Sequence, residues 1–219
     1  MSKELLSGNY YLISAGLILL SFVVFFLSFE KKKPQVREIV TLAVMCAIAV
    51  ASRVIFSVIP NFKPVLGIIM LTGMALGPGA GFLTGAVTAF VSNFIFGQGP
   101  WTPWQMAAFG IAGALAGLLC KKGIMTEKRR LLSAFLGYVM IQFIVGPILD
   151  VCSIFTMKLD LSGSAAFAVF AYGFVPNLIH GLATALTVFL LAKPLMEKLN
   201  RMKVKYGLMT KEEDGWTET

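Results

Sequence analysis

Charge is scarce in this 219-residue chain, with 14% of its residues charged against about 25% in an ordinary soluble domain. Histidine occurs once, at His180, and cysteine three times. A single histidine excludes a His cluster for a metal and leaves a Ser-His-acid triad poorly supported. Cys46, Cys120 and Cys152 lack metal-ligand spacing and read as small packing residues. The sequence has no G-x-x-x-x-G-K-[ST] loop, so ATP is not bound through a P-loop. Gly77-Pro78-Gly79-Ala80-Gly81 is glycine-rich but lacks the lysine and the preceding strand, which fits a tight turn between short helices. Paired aspartates for magnesium-dependent transfer are missing, and Asp150 stands alone among apolar neighbours. No catalytic set and no cofactor site emerge, and the expectation is a protein that is not an enzyme.

What the chain does have is apolar length, at 57% hydrophobic residues. Runs of roughly 18 or more apolar residues suit a hydrocarbon core about 30 Å thick. Seven segments stand out: Tyr10 to Phe29, Ile39 to Ile59, Pro64 to Gly77, Phe82 to Phe96, Trp104 to Cys120, Leu131 to Phe155 and Ala165 to Leu191. In lipid every backbone group must be paired within its own segment, so these runs are helices. The fold class is an all-α, polytopic membrane helix bundle. Gly146-Pro147 and Pro176 remove backbone donors and predict kinks. The first run is about twice a signal-peptide h-region, lacks a small-residue cleavage pattern before Glu30 and precedes Lys31-Lys32-Lys33, so it reads as a retained anchor. Three regions follow: 1–37 as anchor and basic loop, 38–195 as a six-helix core, and 196–219 as a C-terminal extension. The stretch Lys193 to Lys205 is expected to extend the last helix, and Lys211 to Thr219 to form an acidic, disordered tail.

Lysine and arginine accumulate in cytoplasmic loops. One set of loops holds Lys31, Lys32, Lys33, Arg37, Lys121, Lys122, Lys128, Arg129, Arg130, Lys193, Lys198, Arg201, Lys203, Lys205 and Lys211, and the opposite set only Lys3, Lys63 and Lys158. The expected topology puts the N-terminus outside and the C-terminus in the cytoplasm of a bacterial cell. The net charge of +8 is then a topology signal with some anionic-lipid contact, rather than a mark of nucleic-acid binding. Loop charge does not separate a full passage of Pro64 to Phe96 from a re-entrant hairpin.

Ionisable residues at membrane depth mark a pathway, a ligand site or a paired structural charge. Arg53 and Asp150 are expected at similar depth, either as a salt bridge that holds the bundle together or as ligand contacts. Tyr138, Gln142, Gly146 and Asp150 recur every four residues, as do Tyr172, Pro176 and His180, with Gly173, Asn177 and Thr184 alongside. Residues four apart share a helical face. These stripes predict interior faces that either line a cavity or bond helix to helix.

Ala43, Ala47 and Ala51 form a small-xxx-small pattern that lets another helix approach closely. Arg53 lies about 200° around the helix from Ala51, so one face is free for a partner while the other serves a cavity. Gly81, Gly85, Ala89, Gly113 and Gly117 read as internal seams. The loop Gly97-Gln98-Gly99-Pro100-Trp101-Thr102-Pro103-Trp104-Gln105-Met106 carries two tryptophans, which suit interfacial anchors or the lid of a flat, partly polar ligand.

From Ile39 to Met106 the chain resembles the S components of energy-coupling factor (ECF) importers. The likeness rests on the Ala43/Ala47/Ala51 pattern, on Asn61-Phe62-Lys63-Pro64, and on Leu76 to Gly81 followed by Gly85 and Asn93. Ile39 to Lys193 matches the six-helix plan of that family in length and order, and the helix before Lys31 has no counterpart in it. The resemblance implies a subunit that captures a vitamin from outside and hydrolyses no ATP itself. Its partners would be a transmembrane coupling (T) subunit, two cytoplasmic ATPases and the bilayer. It implies docking of the T subunit on Ala43, Ala47 and Ala51. It also implies ligand contacts at Arg53, Asn61, Lys63, Asn93, Gln98, Trp101, Trp104, Gln105, Asp150, Tyr172, Asn177 and His180.

The Gly99 to Met106 run is similar to S components for cobalamin or related corrinoids, which makes cobalamin the expected substrate, although Arg53 and Lys63 favour a small carboxylate vitamin. Two other classes remain open. A self-sufficient secondary transporter would show internal repeats and coupling carboxylates, and a membrane enzyme would need a reactive set that is not found.

Overall fold

In the computed structural model, Gly16, residues 36–157 and residues 163–207 are described. Among them all regular structure is helical. The helices are α1 (Val36–Ile55), α2 (Val65–Leu76), α3 (Pro78–Phe96), α4 (Thr102–Lys121), α5 (Arg130–Met140), α6 (Gly146–Thr156) and α7 (Gly163–Tyr206). A 3-10 turn at Phe56–Val58 follows α1, and a π-helical stretch at Ile141–Val145 joins α5 to α6. By length and composition, five helical stretches can cross a membrane, and α5–α6 counts as one unit of 27 residues. The run Tyr10 to Phe29, apart from Gly16, lies outside the described residues, as do Lys158 and the tail from Lys211.

The bundle is built around the short helix α2. All 12 residues of α2 are buried, as expected for a helix that is apolar on every side. At 1.5 Å per residue it is about 18 Å long, well short of a hydrocarbon core of about 30 Å. It packs against α1, α3, α4 and α7, with Leu66, Ile69, Met70 and Leu71 sealed from the surface. Gly77 then takes φ 94°, a backbone state open to glycine and few other residues. Pro78 sits at the first position of α3, where its missing N–H costs nothing. The α3 helix therefore begins four residues before the apolar run at Phe82. Close approach sets the α3–α4 seam: a Cβ on Gly113 would lie 2.5 Å from the carbonyl carbon of Gly81.

The kink expected at Gly146-Pro147 takes the form of the π stretch one turn earlier. Pro147 has no N–H for the carbonyl four residues back and its ring crowds that carbonyl, so the ladder widens there. In α7, by contrast, helical bonding runs on through Pro176 and Pro194 to Tyr206, over 44 residues.

Two ends of the bundle are distinct. At one, Lys63 in the loop after α1 approaches Phe96 at the end of α3, and Trp104 at the start of α4 stacks on Phe155 near the end of α6. At the other, Arg37 at the start of α1 lies 5.4 Å from the Tyr206 ring and Arg130 at the start of α5 lies 5.5 Å from Phe189.

Candidate ligand site

The site sits at the end that carries the α1–α2 and α3–α4 loops. Arg53, in the last turn of α1, turns inward and is 6% exposed. Its Nη1 donates to Ser92 Oγ and, at 3.0 Å, to Asn93 Oδ1 on α3. Its guanidinium also lies 4.9 Å from the Phe96 ring and 5.7 Å from Phe109, in reach of the negative face of each ring. The buried Nε has no hydrogen-bond partner. The Arg53–Asp150 ion pair, one of the two readings open from the sequence, is not formed: the arginine's partners among the described residues are neutral groups and rings.

Asn93, 1% exposed, joins this arginine to the next loop. Its Nδ2 donates to Thr102 Oγ1 at 3.0 Å and to Gln105 Oε1 at 2.8 Å. Thr102 in turn donates to Gln98 Oε1 at 2.9 Å, and Gln98 Nε2 donates to the Phe90 carbonyl at 2.9 Å. A buried asparagine has two donors and one acceptor oxygen to satisfy, and here all are used. Lys63 is half-buried with its Nζ 5.7 Å from the Phe96 ring. Burial, and after it the charge of Arg53, hold its ammonium below the ordinary lysine pKa of 10.5. Asn61 is exposed at φ 60° in the same loop, a turn conformation that asparagine tolerates.

A second polar pair lies across the bundle. Asn177 on α7 donates to Asp150 Oδ2 on α6 at 2.9 Å. Two glycines make the approach possible: a Cβ on Gly146 would fall 2.5 Å from the Asn177 amide, and one on Gly173 would fall 2.7 Å from the Asp150 carboxyl carbon. One turn deeper, Gln142 Oε1, His180 Nε2 and Thr184 Oγ1 are buried with no hydrogen-bond partner. Such groups carry a desolvation cost that a ligand or a water would relieve. Trp104 bridges the two halves by stacking on Phe155 of α6 at 5.8 Å.

The structure thus gathers Arg53, Lys63, Asn93, Trp104, Gln105, Asp150, Asn177 and His180 at one end of the bundle. Gln98, Asn61 and Trp101 lie at its rim. Tyr172 does not join them: at 84% exposure it faces outward, one residue off the inward line of Gly173 and Asn177. Sequence reasoning missed Ser92, Phe96 and Phe109. The pairing of Ser92 with Asn93, three residues before Phe96 on one turn, was the available signal. On α1, Ala43, Ala47 and Ala51 are exposed while Arg53 is buried, so the two faces are opposed as the helical spacing requires.

The description "ECF-type riboflavin transporter, S component" belongs to the family whose sequence pattern matches residues 33–198. The chain belongs to this family of ECF S components. It is also 26% identical over 160 residues to a UPF0397 protein of Clostridium perfringens (strain SM101 / Type A), covering 69% of this chain and 80% of the relative. No solved structure matches it. S components are parts of multi-pass membrane transporters, not enzymes, and act with a T component and ATPases.

Proposed function

We propose that this S component captures a vitamin at the end of the bundle that holds Arg53 and delivers it through an ATPase-driven importer. The observation that carries the reading is a buried guanidinium with neutral partners and an orphaned Nε, facing a second group of buried, unpartnered polar atoms. A buried charge without a counter-ion is costly, and a ligand bearing acceptor oxygens or a carboxylate would complete it. In this reading the loop end faces outside, the basic end faces the cytoplasm, and the exposed Ala43/Ala47/Ala51 face receives the T subunit.

For the substrate, two vitamins are in contention. The family description names riboflavin, and a flat heterocycle with polar edges suits the aromatic rings of Phe96 and Phe109 beside Arg53 and the unpartnered Gln142 and His180. A corrinoid, expected from the tryptophan loop, would use many free amides, yet Asn93, Gln98 and Gln105 are bonded into one another's network. We therefore favour a flavin-sized heterocycle over cobalamin. Thermal unfolding of the purified chain with a vitamin panel tests this, because a ligand that binds only the folded state raises its stability. Selective stabilisation by riboflavin supports the proposal, stabilisation by cobalamin restores the corrinoid reading, and no shift with any vitamin overturns the capture role.

A further inference from the structure

The last turns of α7 carry a groove that the capture role leaves unused. Lys198, Arg201 and Lys205 line it together with Pro194, Met202 and Tyr206, and Glu197 is the one acid among the described lining residues. The three cations are spaced three and four apart, hence on one helix face, and all are exposed. Lys198 and Arg201 have no carboxylate partner among the described residues. We propose that this groove receives the acidic segment of the same chain, Glu212-Glu213-Asp214 with Glu218 beyond it.

Three observations point to this occupant. The segment has the complementary charge and follows directly in sequence. Gly207, which ends the helix, has φ 60°, the left-handed state that turns a chain away from the helix axis at a C-terminus. The reach also matches: Lys198 lies about 14 Å back along the helix from Gly207, while Glu212 and Asp214 can extend about 17 and 24 Å from it. A segment tethered so closely has an effective concentration of order millimolar, which lets a few exposed ion pairs hold it. An anionic phospholipid headgroup is the competing occupant. The lipid-facing residues Leu186, Phe189, Leu190 and Leu191 are exposed and stop at Lys193. Arg201 and Lys205 then project about 12 and 18 Å farther along the helix, beyond a headgroup layer of roughly 6 Å.

Zero-length carbodiimide crosslinking of the full chain in zwitterionic nanodiscs, read by mass spectrometry, tests the proposal. The expected result is Glu212, Glu213 or Asp214 joined to Lys198 or Lys205 within one chain, falling at least ~5-fold in 0.5 M salt, where screening shortens to a few ångströms, and in R201Q. In parallel, acylation of Lys198 and Lys205 should speed up when the chain is ended at Gly207. The proposal is overturned if no such crosslinks form and acylation is equally fast with and without the tail. It is overturned equally if the lysines become protected only when anionic lipid is added, whatever the tail, or if isotope mixing shows the crosslinks to run between chains.

Discussion

Arg53 Nη1 reaches Asn93 Oδ1 at 3.0 Å, and through that contact the inward face of α1 is tied to α3 and to the loop that opens α4. Asn93→Ala removes the acceptor for the arginine and the donor for Gln105 at once. A lost hydrogen bond to a charged group costs about 1.5–3 kcal/mol, so the melting temperature in detergent should fall. Arg53→Ala should instead weaken vitamin binding by about 10- to 100-fold, measured by titration calorimetry. Unchanged affinity with only a lower melting temperature would make Arg53 a structural residue.

The exposed alanine face yields a prediction of opposite character. Ala43→Phe with Ala47→Phe adds bulk where no described side chain needs room, so folding and vitamin affinity should persist. Co-purification with a T subunit and ATPases, and uptake by cells, should be lost. Loss of vitamin affinity instead would mean that this face lines the pocket.

At the α6–α7 contact, Gly173→Ala would drive a methyl against the Asp150 carboxyl. Overpacking of this kind costs about 1–3 kcal/mol, and unfolding should occur at visibly lower temperature. Asp150→Asn keeps the shape and a hydrogen-bonding group toward Asn177, so its stability should stay close to that of the parent. A drop equal to that of Gly173→Ala would show that the charge itself holds the helices.

Lys63 sets a pH dependence. Its folded pKa lies below 10.5, so between the two values the unfolded chain binds more protons and stability rises with pH. The ligand-free protein should therefore gain stability as pH climbs through that window, and Lys63→Met should flatten the rise. Equal slopes in chemical denaturation of the two proteins across alkaline pH would contradict this.

Much of the architecture was legible from composition. Apolar runs marked every described helix, and the opposition of Ala51 and Arg53 followed from helical angle alone. The glycine seam of Gly81, Gly85 and Gly113 was readable because small residues at spacing four have few other uses in lipid. The partner of Arg53 was not readable. Depth along a helix suggested Asp150, but depth says nothing about azimuth, and α1 packs on α2 and α3 while Asp150 faces α7. Tyr172 failed for a related reason: a spacing of four to Pro176 and His180 drifts 40° per step, and two steps carry a residue from the core edge to the lipid face.

The same drift explains what the π stretch does for the other stripe. Tyr138, Gln142, Gly146 and Asp150 are three steps of four residues, which in an unbroken α-helix would wind about 120° around the axis. A π turn takes in one residue more than an α turn, which unwinds about 100° of that. The bulge at Ile141–Val145 thus acts as a phase correction that keeps four side chains in one line. Deleting a single residue there would let the stretch return to plain α-helix with Gly146 and Asp150 still in line, whereas straightening it with every residue kept would swing them about a quarter-turn away from Asn177.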